Sequence, residues 1–183
     1  MKMCNFSSFF HIKGLRYRFS LFLINSVYCG TSERYFERKR RLLIGLGHKI
    51  GEGTKIVGPI ECTGNLIIGK NCWIGKKLTV NGNGTVYIGD NCDIGPEVTF
   101  QTGGHRIGTG KRRAGIGETY SQYVGAGTWI GGRSTILNNT RIGTACVVAG
   151  CACVTRDIPD NALVGGVPAK IIRYLENASN VSE

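Results

Sequence analysis

The feature that most constrains this chain is a strict period of six. Ile50, Ile56, Cys62, Ile68, Ile74 and Val80 fall in one phase. After a two-residue insertion at Asn81-Gly-Asn-Gly84 the phase resumes at Ile88, Ile94 and Phe100, and it returns at Val124, Ile130, Ile136, Ile142, Val148 and Val154. All fifteen positions are hydrophobic in a chain that is 42% hydrophobic, a coincidence of about 2 × 10⁻⁶ for any one phase. The next position is Gly in eight of the fifteen units, and small side chains (Thr54, Cys72, Cys92, Thr128, Ser134, Thr140, Cys146, Ala152) fill the fifth. Six residues make one short strand and one tight turn. The β-branched residue points into a narrow interior, where a pleated surface suits it. The Gly after it is expected to supply the turn dihedrals. The small fifth residue leaves room for neighbouring coils. Three units close a triangular coil, and coils stack about 4.8 Å apart as parallel strands. Such a solenoid needs a cap at each end.

The phase bounds the architecture: a basic, apolar N-terminal helical segment over residues 1–47, a β-helix over 48–167 and a C-terminal helix and tail over 168–183. The helix is expected to start at Pro168, a favoured first position, and to run to Glu176, covering the last coil with Ile171, Ile172 and Leu175. At 183 residues with 28 Gly and 4 Pro, the chain is about one domain, and it has no collagen period. Its net charge is +11, and nine of its 23 Lys and Arg fall in residues 1–47 beside only two Glu. That surplus favours anionic partners. No zinc-finger spacing or RNA-binding signature is present, so nucleic acid is not the expected partner. The eight Cys form no CxxC pair. Cys72, Cys92 and Cys146 read as small buried hydrophobes, which suits a reducing compartment.

The apolar part of the N-terminal segment, around 19–29, is about half the roughly 20 residues a spanning helix needs. It also lacks small residues before a signal-peptide cleavage site. Two readings remain, a helix that caps the solenoid and an interfacial membrane helix. The expected location is the cytoplasm, with peripheral contact at the inner membrane face under the second reading. The N-x-S/T matches at Asn5, Asn138, Asn177 and Asn180 carry no weight in a cytoplasmic chain.

The period breaks once at length, over 106–123. A long excursion from a regular solenoid is a place for function. At its base, after Gly103 and Gly104, stands His105. A neutral imidazole is the natural general base for deprotonating a hydroxyl or amine. His11 and His48, outside the coils, read as structural or exposed.

The stretches Ile88-Gly-Asp-Asn91, Thr102-Gly-Gly-His105, Gly117-Glu-Thr-Tyr-Ser121, Trp129-Ile-Gly131, Val154-Thr-Arg-Asp-Ile-Pro159 and Gly166-Val-Pro-Ala-Lys170 resemble, in order and spacing, the hexapeptide-repeat acyltransferases. Within these the maltose and galactoside O-acetyltransferase group is most similar. The resemblance implies an all-β fold, a single-stranded left-handed parallel β-helix, and an acetyl-CoA-dependent O-acetyltransferase working as a homotrimer without a metal. It implies that His105 takes the proton from an acceptor hydroxyl. By the same resemblance Trp129 lines the CoA channel, and Gly132, Gly150, Thr155 and Arg156 follow the pantetheine arm and nucleotide. Lys170 and Arg173 lie near the CoA phosphates, and Asn83 contacts the acceptor. Two departures stand out. Arg106 replaces the usual Pro after the base, and Gly75 falls where an acceptor-contacting Asn is expected. The basic, aromatic N-terminus looks more like enzymes that acetylate surface polysaccharides or their precursors. The alternatives are an amine or serine acetyltransferase on the same fold, or a non-catalytic β-helix scaffold.

Overall fold

The computed structural model describes residues 6–28 and 30–176, with side chains from residue 14 onward. Asn5, Asn177, Asn180 and the tail beyond residue 176 lie outside the described residues, as does the side chain of His11.

The six-residue units form short parallel strands on three faces of a coil. Face A holds Lys49–Ile50, Asn65–Ile68, Thr85–Ile88, Ser121–Val124 and Arg141–Ile142. Face B holds Lys55–Ile56, Trp73–Ile74, Asp93–Ile94, Trp129–Ile130, Val147–Val148 and Ala162–Gly165. Face C holds Ile60–Cys62, Leu78–Asn81, Thr99–Gln101, Thr135–Ile136 and Cys153–Val154. The pairing register turns the sequence phase into three columns. Ile50, Ile68, Ile88, Val124 and Ile142 stack on face A. Ile56, Ile74, Ile94, Ile130, Val148 and Val164 stack on face B. Cys62, Val80, Phe100, Ile136 and Val154 stack on face C. All are buried, and each large aliphatic side chain so placed contributes about 1.5–3 kcal/mol. The insertion at 81–84 is absorbed at a corner, because Ile68 still pairs with Ile88.

The glycines after the inward residues serve a purpose other than the expected one. Positive φ falls two residues further on, at Asn71 (54°), Lys77 (58°), Asn91 (56°) and Glu97 (61°). The glycine is needed because coils meet closely at the corner. A Cβ on Gly95 would lie 2.5 Å from the Gly132 amide nitrogen, and one on Gly75 2.7 Å from Pro96 N. The fifth-position side chains are small, buried and hydrogen-bonded. Thr54 Oγ1 donates to Gly69 O at 2.7 Å and accepts from Cys72 N–H at 3.1 Å. Thr128 repeats this with Gly143 O and Cys146 N–H. The cysteines on the same column are free and buried as expected.

Both ends of the coil stack present a backbone edge that needs partners. At the start, α1 (Phe6–Phe22), a π-helical turn (Leu23–Val27) and α2 (Glu33–Gly45) supply them from side chains. The Asn25 amide pairs both ways with the backbone of Ile60, each bond 2.9 Å. Lys39, fully buried on α2, donates to Val57 O at 2.7 Å and Gly30 O at 3.1 Å. Arg40 reaches Ile50 O at 3.2 Å, and Tyr17 donates to Cys62 O. Buried His48 accepts the Leu66 N–H, and burial lowers its pKa, which favours the neutral ring. Among the described residues no helix is long and apolar enough to cross a membrane.

At the far end the expected helix is a strand. Lys170–Tyr174 turns back and pairs antiparallel with Ala162–Gly165. A lone short helix would leave the edge of the last coil unpaired and is marginal at this length. The strand satisfies that edge with its own backbone, and β-branched Ile171 and Ile172 suit it.

Ile94, at the centre of its column, should be costly to truncate. Ile94→Ala is expected to lower the unfolding free energy by about 2–5 kcal/mol. Denaturant titration checks this, and a change within about 0.5 kcal/mol, the range of a surface substitution, would contradict the packing.

Candidate active site

The excursion is a β-hairpin inserted at the corner between faces C and A. Its strands are Gly103–Ile107 and Ala114–Thr119. It therefore spans residues 103–120 rather than 106–123, and the coil resumes at Ser121, which pairs with Thr85. The extra residues join the hairpin because antiparallel pairing satisfies their backbone groups. Gly104 opposes Glu118 and His105 opposes Gly117, with a bulge between His105 and Ile107. His105 thus sits on the first hairpin strand, not at the base of a loop. The hairpin neck is pinned from inside the coil. Buried Gln122 donates its amide to Gln101 O at 3.1 Å, Ile136 O at 3.0 Å and Asn138 O at 3.0 Å. Gly104 admits the Tyr120 ring, since a Cβ there would lie 2.6 Å from Tyr120 Oη.

The imidazole of His105 is exposed, and its Nδ1 lies 2.9 Å from Gly115 O on the opposite strand. A carbonyl accepts and never donates. In the neutral ring Nδ1 therefore carries the proton, and Nε2 keeps a free lone pair. Second-strand geometry thus selects the tautomer that a general base needs. Arg106 donates from Nε to Glu118 Oε1 at 2.6 Å. Tyr120 donates to the other Glu118 oxygen at 3.1 Å. The Arg106 guanidinium holds the Glu118 carboxyl below its ordinary pKa.

A cavity of about 310 Å³ opens at the hairpin base, lined by Asn81, Asn83, Gln101, His105, Glu118 and Thr119 with intervening glycines. The size suits a small ligand. His105 and Asn83 are therefore brought together. Asn81, Gln101, Glu118 and Thr119 carry no assigned role in the sequence reading, although Glu118 and Thr119 lie in one of the stretches that carry the resemblance. Asn81 and Gln101 each follow an inward residue on face C, a position that points outward, and Glu118 is readable only once the hairpin pairing is known.

The residues expected to hold CoA are arranged differently. Trp129 projects from face B beside Trp73 and Asp93, around a separate cavity of about 380 Å³. Gly132 and Gly150 stack at the corner between faces B and C. A Cβ on Gly132 would lie 3.0 Å from Pro96 O, so its identity already has a packing cause. Thr155 and Arg156 lie at the corner between faces C and A, the hairpin's own corner. Thr155 follows Val154, which is two pairings from Phe100, about 10 Å along the column. Lys170 and Arg173 are exposed on the terminal strand. The cavities at His105 and at Trp129 do not gather this set: of it, only Trp129 lines either one. All of it lies on later coils than His105, whereas Asn83 lies before it.

No protein-family model matches the chain. Among curated proteins, the galactoside O-acetyltransferase of Escherichia coli is 31% identical over 143 residues, covering 77% of this chain and 70% of that protein. Provisionally named acetyltransferases of Staphylococcus aureus are 36% identical over 113 residues, 62% of this chain; the match spans 57% of their own length. Among solved structures, a hexapeptide-repeat acetyltransferase of Vibrio cholerae, complexed with acetyl coenzyme A, superposes with a TM-score of 0.76 at 26% identity. It covers 96% of this chain and 94% of its own. A galactoside acetyltransferase in complex with coenzyme A gives 0.74 at 26%, covering 96% and 86%. The fold is that of the left-handed β-helix acetyltransferases. The chain belongs to the hexapeptide-repeat acetyltransferase family, alongside the sugar O-acetyltransferases.

Arg106→Ala should return the Glu118 carboxyl toward its ordinary pKa, read by carbon NMR titration. Because the folded value is depressed, the hairpin clamp is present above the ordinary carboxylate range and is lost as pH falls through the lower value. An unchanged midpoint would contradict the pairing.

Proposed function

We propose that this protein is an acetyl-CoA-dependent O-acetyltransferase acting on a hydroxyl of a sugar or surface-polysaccharide precursor, with His105 as general base. The observation that carries this reading is the His105 ring, oriented by Gly115 O at Nδ1 and lining a cavity that Asn83 also lines. In this reading Nε2 takes the proton of the acceptor hydroxyl as its oxygen attacks the thioester carbonyl, and later returns it to the departing CoA thiolate. Asn83 positions the acceptor. Trp129, Gly132, Gly150, Thr155 and Arg156 receive the donor, and Lys170 and Arg173 meet its phosphates by charge. The separation of Trp129 from the cavity that holds His105 and Asn83 supports a homotrimer in which a neighbouring subunit completes each site. The sugar O-acetyltransferase relative favours a hydroxyl acceptor over an amine.

Thiol release from acetyl-CoA across sugars and amines tests this. His105→Ala is expected to lower kcat by about 10²–10⁴-fold while acetyl-CoA still raises the melting temperature. If no acceptor stimulates release and CoA leaves the melting temperature unmoved, the molecule is a scaffold.

The N-terminal segment supports a second role beside capping, peripheral contact with a membrane face. Leu15, Phe19 and Phe22 are exposed on one face of α1, 69%, 60% and 55% respectively, beside Arg16 and Arg18. Exposed apolar side chains beside two arginines suit an anionic bilayer surface. Co-sedimentation with phosphatidylglycerol vesicles should fall when Phe19 and Phe22 are both changed to Glu. Equal pelleting of both proteins would remove the role.

A further inference from the structure

Face C carries an outward row that runs past the catalytic cavity in both directions. Glu61, Thr79, Thr99, Thr135 and Cys153 are in register across its strands. Asn81 pairs with Gln101 beside them, at the edge of the His105 cavity. The donor positions proposed above lie on the later coils, from Trp129 onward. A second cavity, of about 410 Å³, lies on the earlier coils and is lined by Leu21, Asn25, Glu61, Lys77, Leu78 and Thr79, with Pro59 and Ile60. The two cavities share one strand. Thr79 lines one and Asn81 the other, about 7 Å apart along the backbone.

The N-terminal segment walls this second cavity. The π-helical turn, a feature frequent at functional sites, holds Asn25 against the Ile60 backbone and so fixes Leu21 over the coil. The chemistry around the space is mixed. Leu21, Pro59 and Leu78 give an apolar floor. Glu61, Lys77 and Thr79 give a hydrogen-bonding rim, with Lys77 held by Glu97 at 3.2 Å. One carboxylate and one ammonium at the rim leave no net preference for a charged ligand. An apolar face edged with hydrogen-bonding groups is what a sugar ring presents to a protein.

We infer that the acceptor is a saccharide of at least two residues: the acetylated residue sits at His105, and the next residue occupies the cavity between the π-helical turn and face C. This rests on the sugar O-acetyltransferase reading and adds its substrate class. It places the donor positions and the acceptor on opposite sides of His105 along the coil stack. It also gives the N-terminal segment a part in acceptor selection.

The test compares thiol release from acetyl-CoA with p-nitrophenyl glycosides of one sugar and the same glycosides extended by a second sugar residue. Wild-type protein should prefer the extended acceptors by about tenfold in kcat/KM, a difference of one decade in transition-state affinity. Thr79→Trp, which fills the cavity from the coil, and Glu61→Ala, which removes a rim group, should each collapse that ratio. Melting curves confirm that both variants fold, and Glu61, being exposed, provides the gentler change. Equal use of both acceptors, or an unchanged ratio in both variants, overturns the second subsite and leaves the enzyme reading standing. Release with amines but with no saccharide overturns both.

Discussion

Every part of this molecule depends on a fixed spacing between coils. Residues in one column pair through parallel backbone bonds, so a coil must return to the same face after each circuit. Side chains then follow. An inward residue stacks on its counterpart, a glycine admits the next corner, and a Thr or Cys receives an amide from the coil below. Because each coil contacts only its neighbours, the two ends carry the problem of unpaired backbone. The two ends solve it by different means. Asn25, Lys39, Arg40 and Tyr17 imitate a missing strand with side chains, whereas Lys170–Tyr174 is a real strand.

The same constraint explains why the chemistry sits where it does. A stacked coil offers broad faces with no second strand standing over them. A hairpin can leave at a corner without disturbing the columns, provided that the chain returns in phase. Phe100 and Val124 satisfy that requirement, and Gln122 locks the neck from the inside. The hairpin then supplies what a face lacks, a second strand whose carbonyl can orient a histidine. Arg106 and Glu118 clamp that strand pair beside His105.

Legibility in the sequence followed the strength of the repeat. The three columns, the buried cysteines and the site of interruption were readable because one residue in six is invariantly apolar. The role of the glycines was not, since close approach between coils and positive φ both favour Gly, and only coordinates tell them apart. The terminal strand was missed because Pro168 and the apolar residues after it also fit a helix, and an exposed sheet edge decided between them. His105 could be found from its glycines and the break in phase. Its partner Gly115 O could not, because a backbone carbonyl leaves no mark in sequence and the hairpin register is set by a bulge. Asn25 was similarly hidden, since its role depends on an edge strand 35 residues away.

The central claim is that the hairpin holds His105 in the tautomer with its proton on Nδ1, leaving Nε2 as the base. Nitrogen-15 NMR of the His105 side chain, at a pH where the ring is neutral, tests it directly. The account predicts a protonated, pyrrole-like Nδ1 and an unprotonated, pyridine-like Nε2. A neutral ring protonated on Nε2 would contradict it.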